Sequence, residues 1–144
     1  MKKTGILNIA LSELTATLGH GDRIAIVDRG FPLPTNPKIR VIDLALSKNM
    51  PTVEMVVEAL LKEVVFEEMT FSNETMKESK AFYAKIRDMI LDQNKACTEK
   101  TGEHLVLKSM ILRGGQEDEI RGYIRTGDFT FFGYVLLTAG VAFN

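Results

Sequence analysis

The stretch from Gly19 to Pro32, Gly-His-Gly-Asp-Arg-Ile-Ala-Ile-Val-Asp-Arg-Gly-Phe-Pro, constrains this chain more than any other. Its middle, Ile24 to Val27, is apolar without alternation, the pattern of a strand covered on both faces. Gly19 and Gly21 permit a sharp entry to that strand, and Gly30 with Pro32 permits a sharp exit. His20, one of only two histidines, precedes it, and Asp28 stands where it finishes. Ligands of open α/β sheets collect at the carboxyl ends of strands, so Asp28 is a candidate site residue.

The rest of the chain is read around that strand. Leu7, Leu11, Leu14 and Leu18 fall at i, i+4, i+7 and i+11, one stripe of a helix that Gly19 ends. Phe31 to Pro37 holds three prolines and forms a stiff loop beside Asp28. A short strand is expected at Arg40-Val41-Ile42. Pro51-Thr52 opens a helix with Val53, Val56, Val57 and Leu60 inward and Thr52 as its cap. Val64 to Phe71 reads as a strand. Thr75 and Glu78 have capping-box spacing ahead of a helix burying Phe82, Ile86, Met89 and Ile90. His104 to Met110 reads as a strand on the bulk of Leu105-Val106-Leu107. Gly114-Gly115 precedes a short helical stretch, Gln116 to Arg121, and strands near Tyr123-Ile124-Arg125 and Tyr134 to Thr138 close the chain. Strands alternating with helices imply one α/β domain over 1–144, three layers deep, with a mostly parallel central sheet and helices on both faces.

Charge and composition exclude several classes of function. A net charge of −1 signals no basic face, which argues against nucleic acid as a partner. No apolar run approaches the ~20 residues that cross a bilayer, so no membrane is expected either. The single cysteine, Cys97, allows no internal disulfide, and no apolar leader is legible after Met1-Lys2-Lys3; together these set the expectation of a cytoplasmic protein. The phosphate-cradling glycine motifs are absent, and so is the G-x-S-x-G elbow. Two histidines and a cysteine scattered over positions 20, 97 and 104 have no metal-ligand spacing, so neither a metal nor another cofactor is implied.

His20 lies between glycines outside regular structure, and an imidazole with an ordinary pKa near ~6.5 can give and take protons at neutral pH. A strand rises ~3.3 Å per residue, which puts His20 and Asp28 roughly 25 Å apart if the segment is straight. That is too far for one small-molecule site. Either one of the two is irrelevant, or they meet across a subunit interface; the second is taken as the working expectation.

With these residues in view, the chain resembles the D-ribose pyranase and L-fucose mutarotase family, nearly end to end. The start, Met1 to Asn8 and Leu18-Gly19-His20-Gly21-Asp22, looks like the pyranase N-terminus. Asp28-Arg29-Gly30-Phe31-Pro32-Leu33-Pro34 is similar to the family's D-A-G-L-P-I-P loop. Ile42-Asp43-Leu44-Ala45-Leu46, Met50-Pro51-Thr52 and Ile124-Arg125-Thr126-Gly127-Asp128 resemble I-D-L-A-L, V-P-S and I-R-T-G-E. The resemblance implies an isomerase of carbohydrate metabolism that interconverts anomers or ring forms of a free monosaccharide of the ribose or fucose class, without cofactor. It further implies a homo-oligomeric ring, a decamer, with sugar held between neighbouring subunits. On this resemblance His20 is the proton donor, Asp28 binds sugar, and the family's Y-x-N sugar-binding triplet falls on Phe132, Gly133 and Tyr134. Two departures stand out. Phe132 lacks the hydroxyl and Tyr134 replaces a compact amide, while a second family histidine would align near Ile111, where nothing titratable stands. Phe132 and Tyr134 can stack on a sugar face or pack at an interface, and Arg29 and Arg113 are candidate compensating donors. The competing expectation is a sugar-binding or transport-accessory protein that kept the scaffold and lost catalysis.

Overall fold

A computed structural model describes residues 1–143. Eleven elements follow one another: α1 (Ile9–Thr17), β1 (Arg23–Val27), β2 (Arg40–Asp43), α2 (Val53–Leu61), β3 (Phe66–Ser72), α3 (Asn73–Glu78), α4 (Lys80–Gln93), β4 (Thr98–Gly102), α5 (His104–Arg113), β5 (Ile120–Arg125) and β6 (Val135–Ala139). The six strands form one sheet in the order β2-β5-β1-β6-β3-β4. The β1·β5, β2·β5 and β3·β4 pairs are parallel, and β6 runs antiparallel to both β1 and β3. Five strands therefore point one way and β6 alone returns, which is the mostly parallel, single-domain α/β sheet expected.

β1 is central, and its side chains alternate between two cores. Ile24 and Ile26 face α1, α2 and α4, meeting Leu14, Val57, Leu60, Ile86 and Ile90. Ala25 and Val27 face α5, meeting Leu107, Ile111, Tyr123 and Tyr134. Both sets are fully buried, which is why the stretch carries no polar alternation. Helices cover both faces of the sheet, and none is long and apolar enough to cross a membrane among the described residues.

Local chemistry sets the helix ends. Asn8 caps α1 by accepting from the Leu11 amide at 2.9 Å, so the helix starts after Leu7, which is left exposed; Leu11 and Leu14 alone are buried in α1. Thr52 caps α2 as expected, accepting from the Met55 amide. The expected capping box at Thr75 is corrected: Ser72 is the cap of α3, accepting from the Thr75 amide at 2.9 Å, and Thr75 lies inside that helix.

Two segments near the end are also corrected. His104 to Met110 is the first part of helix α5, closed by Gly114 in the left-handed conformation (φ 98°). Leu107 and Ile111, four apart, face the core, whereas Leu105 and Val106 lie on the exposed side. The strand of this region is β4, Thr-Glu-Lys-Thr-Gly, an edge strand paired to β3 alone. Gln116 to Glu119 is a turn rather than a helix, and Ile120 already starts β5.

Candidate active site

Asp28 is delivered by the end of β1. Beyond Val27 the chain leaves the sheet beside the exit of β5, and the two exits are tied by Thr126 N to Val27 O at 3.0 Å and Arg29 N to Asp128 O at 2.8 Å. Two carboxylates thus stand at the carboxyl edge of neighbouring strands, with different work. Asp128 is buried and both its oxygens are used, one accepting from Val53 N at the start of α2 and the other from Thr130 N, each at 2.9 Å. It fastens the loop to the helix. Asp28 accepts from the Gly30 amide at 2.9 Å and is otherwise turned to the opening. Burial pushes its pKa up from 3.8 to about 6, with the Asp128 charge adding to the rise while the amides of Gly30, Gly133 and Phe31 oppose it.

The opposite wall comes from α5 and the approach to β6. His104, the first residue of α5, and Lys108, one turn on, face a cleft of about 450 Å³ whose other walls include Asp28, Phe31, Phe129 and Phe132. The His104 amide donates to Glu74 Oε2 at 2.9 Å, and its ring Nδ1 lies 2.8 Å from the Tyr134 hydroxyl. Rings of Phe31, Phe132 and Tyr134 surround the imidazole, with Phe132 at 4.9 Å between centroids. Desolvation among those rings lowers the His104 pKa from the ordinary imidazole value, with the Glu74 charge opposing the shift. Phe132 holds its place with φ of 50°, a conformation that costs a non-glycine residue about 1–2 kcal/mol. A carboxyl near neutrality, an imidazole and an amine set into aromatic walls can hydrogen-bond the hydroxyls of a small polar ring while its C–H face stacks on the phenyl groups.

The residues singled out in the sequence fall in three places. Asp28 and Phe132 line the cleft, and Gly133 sets its amide beside Asp28. Tyr134 is fully buried behind the wall. His20 is at the other edge of the sheet, in the loop entering β1, its Nε2 3.0 and 2.9 Å from the two carboxylate oxygens of Glu67. Within one chain, His20 and Asp28 are separated by the full length of β1. Arg29 sits on the rim, bound to Asp43 at 2.7 Å, and Arg113 is not among the cleft residues.

Sequence reasoning missed His104 and Lys108. Ile111, near which the family's second histidine would align, is fully buried in α5, and the imidazole of the cleft comes from His104 instead. Had the segment been read as a helix, the i, i+4 spacing of His104 and Lys108 would have put both on one face.

A cleft at the strand ends of an open, mostly parallel sheet, apolar but with a few convergent polar groups, defines a small-molecule site on an α/β scaffold. The model of the RbsD / FucU transport protein family matches residues 1–142, and the chain belongs to that family. It is 36% identical over 143 residues to a D-ribose pyranase of Chloroflexus aggregans, covering 99% of this chain and 100% of the relative. A D-ribose pyranase of Thermosipho africanus is likewise 36% identical, over 144 residues, with the same coverage. Among solved structures, Bacillus subtilis RbsD complexed with D-ribose superposes with a TM-score of 0.82 at 29% identity, covering 99% of this chain and 100% of that one. The fucose mutarotase of Streptococcus pneumoniae in complex with L-fucose shares the fold, with a TM-score of 0.75 at 14% identity and 95% coverage of each chain.

Proposed function

We propose that this chain is a monosaccharide pyranase or mutarotase, interconverting the ring forms or anomers of a free sugar of the ribose class. The observation that carries the reading is the Asp28 cleft, in a chain that aligns over its full length with D-ribose pyranases. Ring opening requires the anomeric hydroxyl to lose its proton as the C1–O bond to the ring oxygen breaks, and the ring oxygen to gain one. Closure on either face, or by a different hydroxyl, then gives the other anomer or ring size. Asp28 anchors sugar hydroxyls, Phe132 and the Gly133 backbone line the pocket, and Tyr134 supports it from behind. His20 supplies the proton. Because His20 and Asp28 lie at opposite edges of one sheet, a neighbouring copy brings its His20, already oriented by Glu67, to this cleft. The functional particle is then a closed homo-oligomer with shared sites, a ring such as a decamer, working in the cytoplasm.

Saturation-transfer NMR on a panel of aldoses tests this, because it reports exchange between anomers and ring forms directly. The expected result is accelerated exchange of ribose, lost in His20→Ala while binding persists. Exchange no faster than the buffer blank for every sugar would remove the enzyme reading, and binding without acceleration would favour a sugar-binding accessory protein instead.

A further inference from the structure

We infer that Glu67 is the positioning residue of the acid–base step: it holds His20 by Nε2, so that Nδ1 is the nitrogen that gives and takes the proton at the sugar of the neighbouring copy. The inference rests on the reading of His20 as the acid–base group, and adds which nitrogen acts and what aims it.

The pair is built from both sides. The register of β3 against β6 slips where Phe66 lies opposite Ala139 and Glu68 opposite Thr138, so Glu67 is the extra residue of a bulge. Bulges re-aim a side chain out of the regular pleat, and the Glu67 carboxylate here meets His20. The histidine is carried by the turn before β1. Gly21 takes φ of 87°, its amide donates to Ala139 O at 2.9 Å, and the Ala139 amide donates back to Asp22 O at 2.8 Å. The Asp22 carboxylate closes the turn by accepting from the Gly19 amide at 2.8 Å. Bulge and turn are thus fastened to the same residue of β6. The next residue is Gly140, where a Cβ would stand 3.1 Å from Glu67 Cβ and 3.4 Å from its Oε2. The missing side chain leaves the room in which the carboxylate lies.

Counting protons assigns the nitrogens. His20 Nε2 is 3.0 and 2.9 Å from the two oxygens of Glu67. A carboxylate only accepts, so Nε2 keeps its hydrogen in the neutral ring as well as in the charged one. Every proton the ring exchanges is then carried by Nδ1. The His20 side chain is 60% exposed in the single chain, and the hydrogen bonds it makes there among the described residues are those of Nε2. Nδ1 is left to the neighbouring copy. In the step itself, the C1–O electron pair passes to the ring oxygen, which takes the Nδ1 proton. The anomeric O–H, now on a protonated carbonyl, then returns a proton to the bare Nδ1. The imidazole ends as it began, and the Glu67 charge faces the imidazolium at both ends of the cycle.

The test uses the intact protein. Histidine methylated at Nδ1, placed at position 20 by amber suppression, should abolish the acceleration of ribose exchange. Histidine methylated at Nε2 keeps a working Nδ1 and should lose only as much as Glu67→Ala does. In Glu67→Ala, kcat should fall about 10–100-fold, a part of the ~10²–10⁴-fold that a positioned acid–base group contributes. KM should stay where it was, because Asp28 and the cleft are at the other edge of the sheet. Gly140→Ala retains both members of the pair but displaces the carboxylate, and should lower kcat in the same direction. With 15N-labelled histidine, assigned by His20→Gln, the neutral wild-type ring should carry its hydrogen on Nε2 alone, and Glu67→Ala should divide it between the two nitrogens. Full rate with Nδ1 methylated, a bare Nε2 in the wild type, or a Glu67→Ala effect confined to KM overturns the proposal. A wild type that accelerates no sugar, yet shows Nε2 protonated and dependent on Glu67, would instead sink the mutarotase reading and leave this pair standing.

Discussion

Replacing Asp28 with Asn should make the protein more stable while disabling it. The wild-type carboxyl has its pKa raised from 3.8 to about 6, chiefly because it is desolvated in the cleft beside the Asp128 charge. Between those two values the folded state keeps a proton that the unfolded chain gives up, so stability declines as pH rises through the window and stays at the lower level above it. A shift of about two units corresponds to ~3 kcal/mol. The group still touches water at the cleft mouth, and screening reduces that to about 1–3 kcal/mol. Asn keeps the oxygen that accepts from the Gly30 amide and carries no charge. In urea at pH 7.5 the variant's midpoint should lie higher by about 0.5–1.5 M, for a slope near ~2 kcal/mol/M. At pH 4, where the wild-type carboxyl is protonated in the folded state and close to its own titration midpoint in the unfolded one, most of the advantage should vanish. A variant no more stable than wild type at pH 7.5, or one whose advantage is the same at pH 4, would refute the electrostatic account. Its ribose exchange should be strongly reduced, a direct exchange of stability for binding chemistry.

Gly122 in β5 leaves room for the methyls of Leu14, which a Cβ there would overlap. Gly122→Ala should cost about 1–3 kcal/mol by overpacking, and a Leu14→Ala background should recover part of that loss; equal cost in both backgrounds, by urea denaturation, would show that the contact is not the cause. Cys97 is buried and its thiol pKa is pushed up to about 11, mainly by desolvation. It should resist alkylation at pH 8 in the folded protein and react fully in denaturant, as mass spectrometry would show; rapid labelling of the native form would contradict the burial.

What was legible in the sequence followed from apolar pattern and stereochemistry. β1 was readable because strands covered on both faces cannot afford a polar residue, and α2 because Val53, Val56, Val57 and Leu60 repeat at helical spacing behind a threonine cap. β4 was invisible for the opposite reason. An edge strand with one neighbour buries little, so Thr98 to Gly102 carries charge in place of hydrophobes. Its apparent substitute, Leu105-Val106-Leu107, was a helix whose exposed side happens to be apolar. That one misreading also hid half of the cleft, because His104 and Lys108 stand one turn apart only if the backbone is helical; along a strand they would share a face but lie roughly 13 Å apart. Asp28 was found because its position depends on a strand end, which the sequence marks clearly. Tyr134 was named for the wrong surroundings: nothing in its spacing reveals that its hydroxyl turns inward to an imidazole from another element.

The separation of His20 and Asp28 by a whole strand leads to a prediction that needs no structure of the assembly. If each site takes its imidazole from one copy and its carboxylate from the next, His20→Ala and Asp28→Asn damage different contributors to the same site. Each variant alone leaves every site with one defect. In a closed ring assembled from an equal, random mixture, a site works when its imidazole donor is the Asp28→Asn chain and its carboxylate donor is the His20→Ala chain. Those two independent choices leave about a quarter of the sites intact. Co-refolded or co-expressed mixtures should therefore regain about a quarter of wild-type exchange, whereas the two variants purified separately and mixed without subunit exchange should regain none. Sites built within single chains would give no recovery in either experiment, since no chain in the mixture carries both residues. Recovery near zero in a mixture shown by native mass spectrometry to be hetero-oligomeric would rule out the shared site and with it the role of His20.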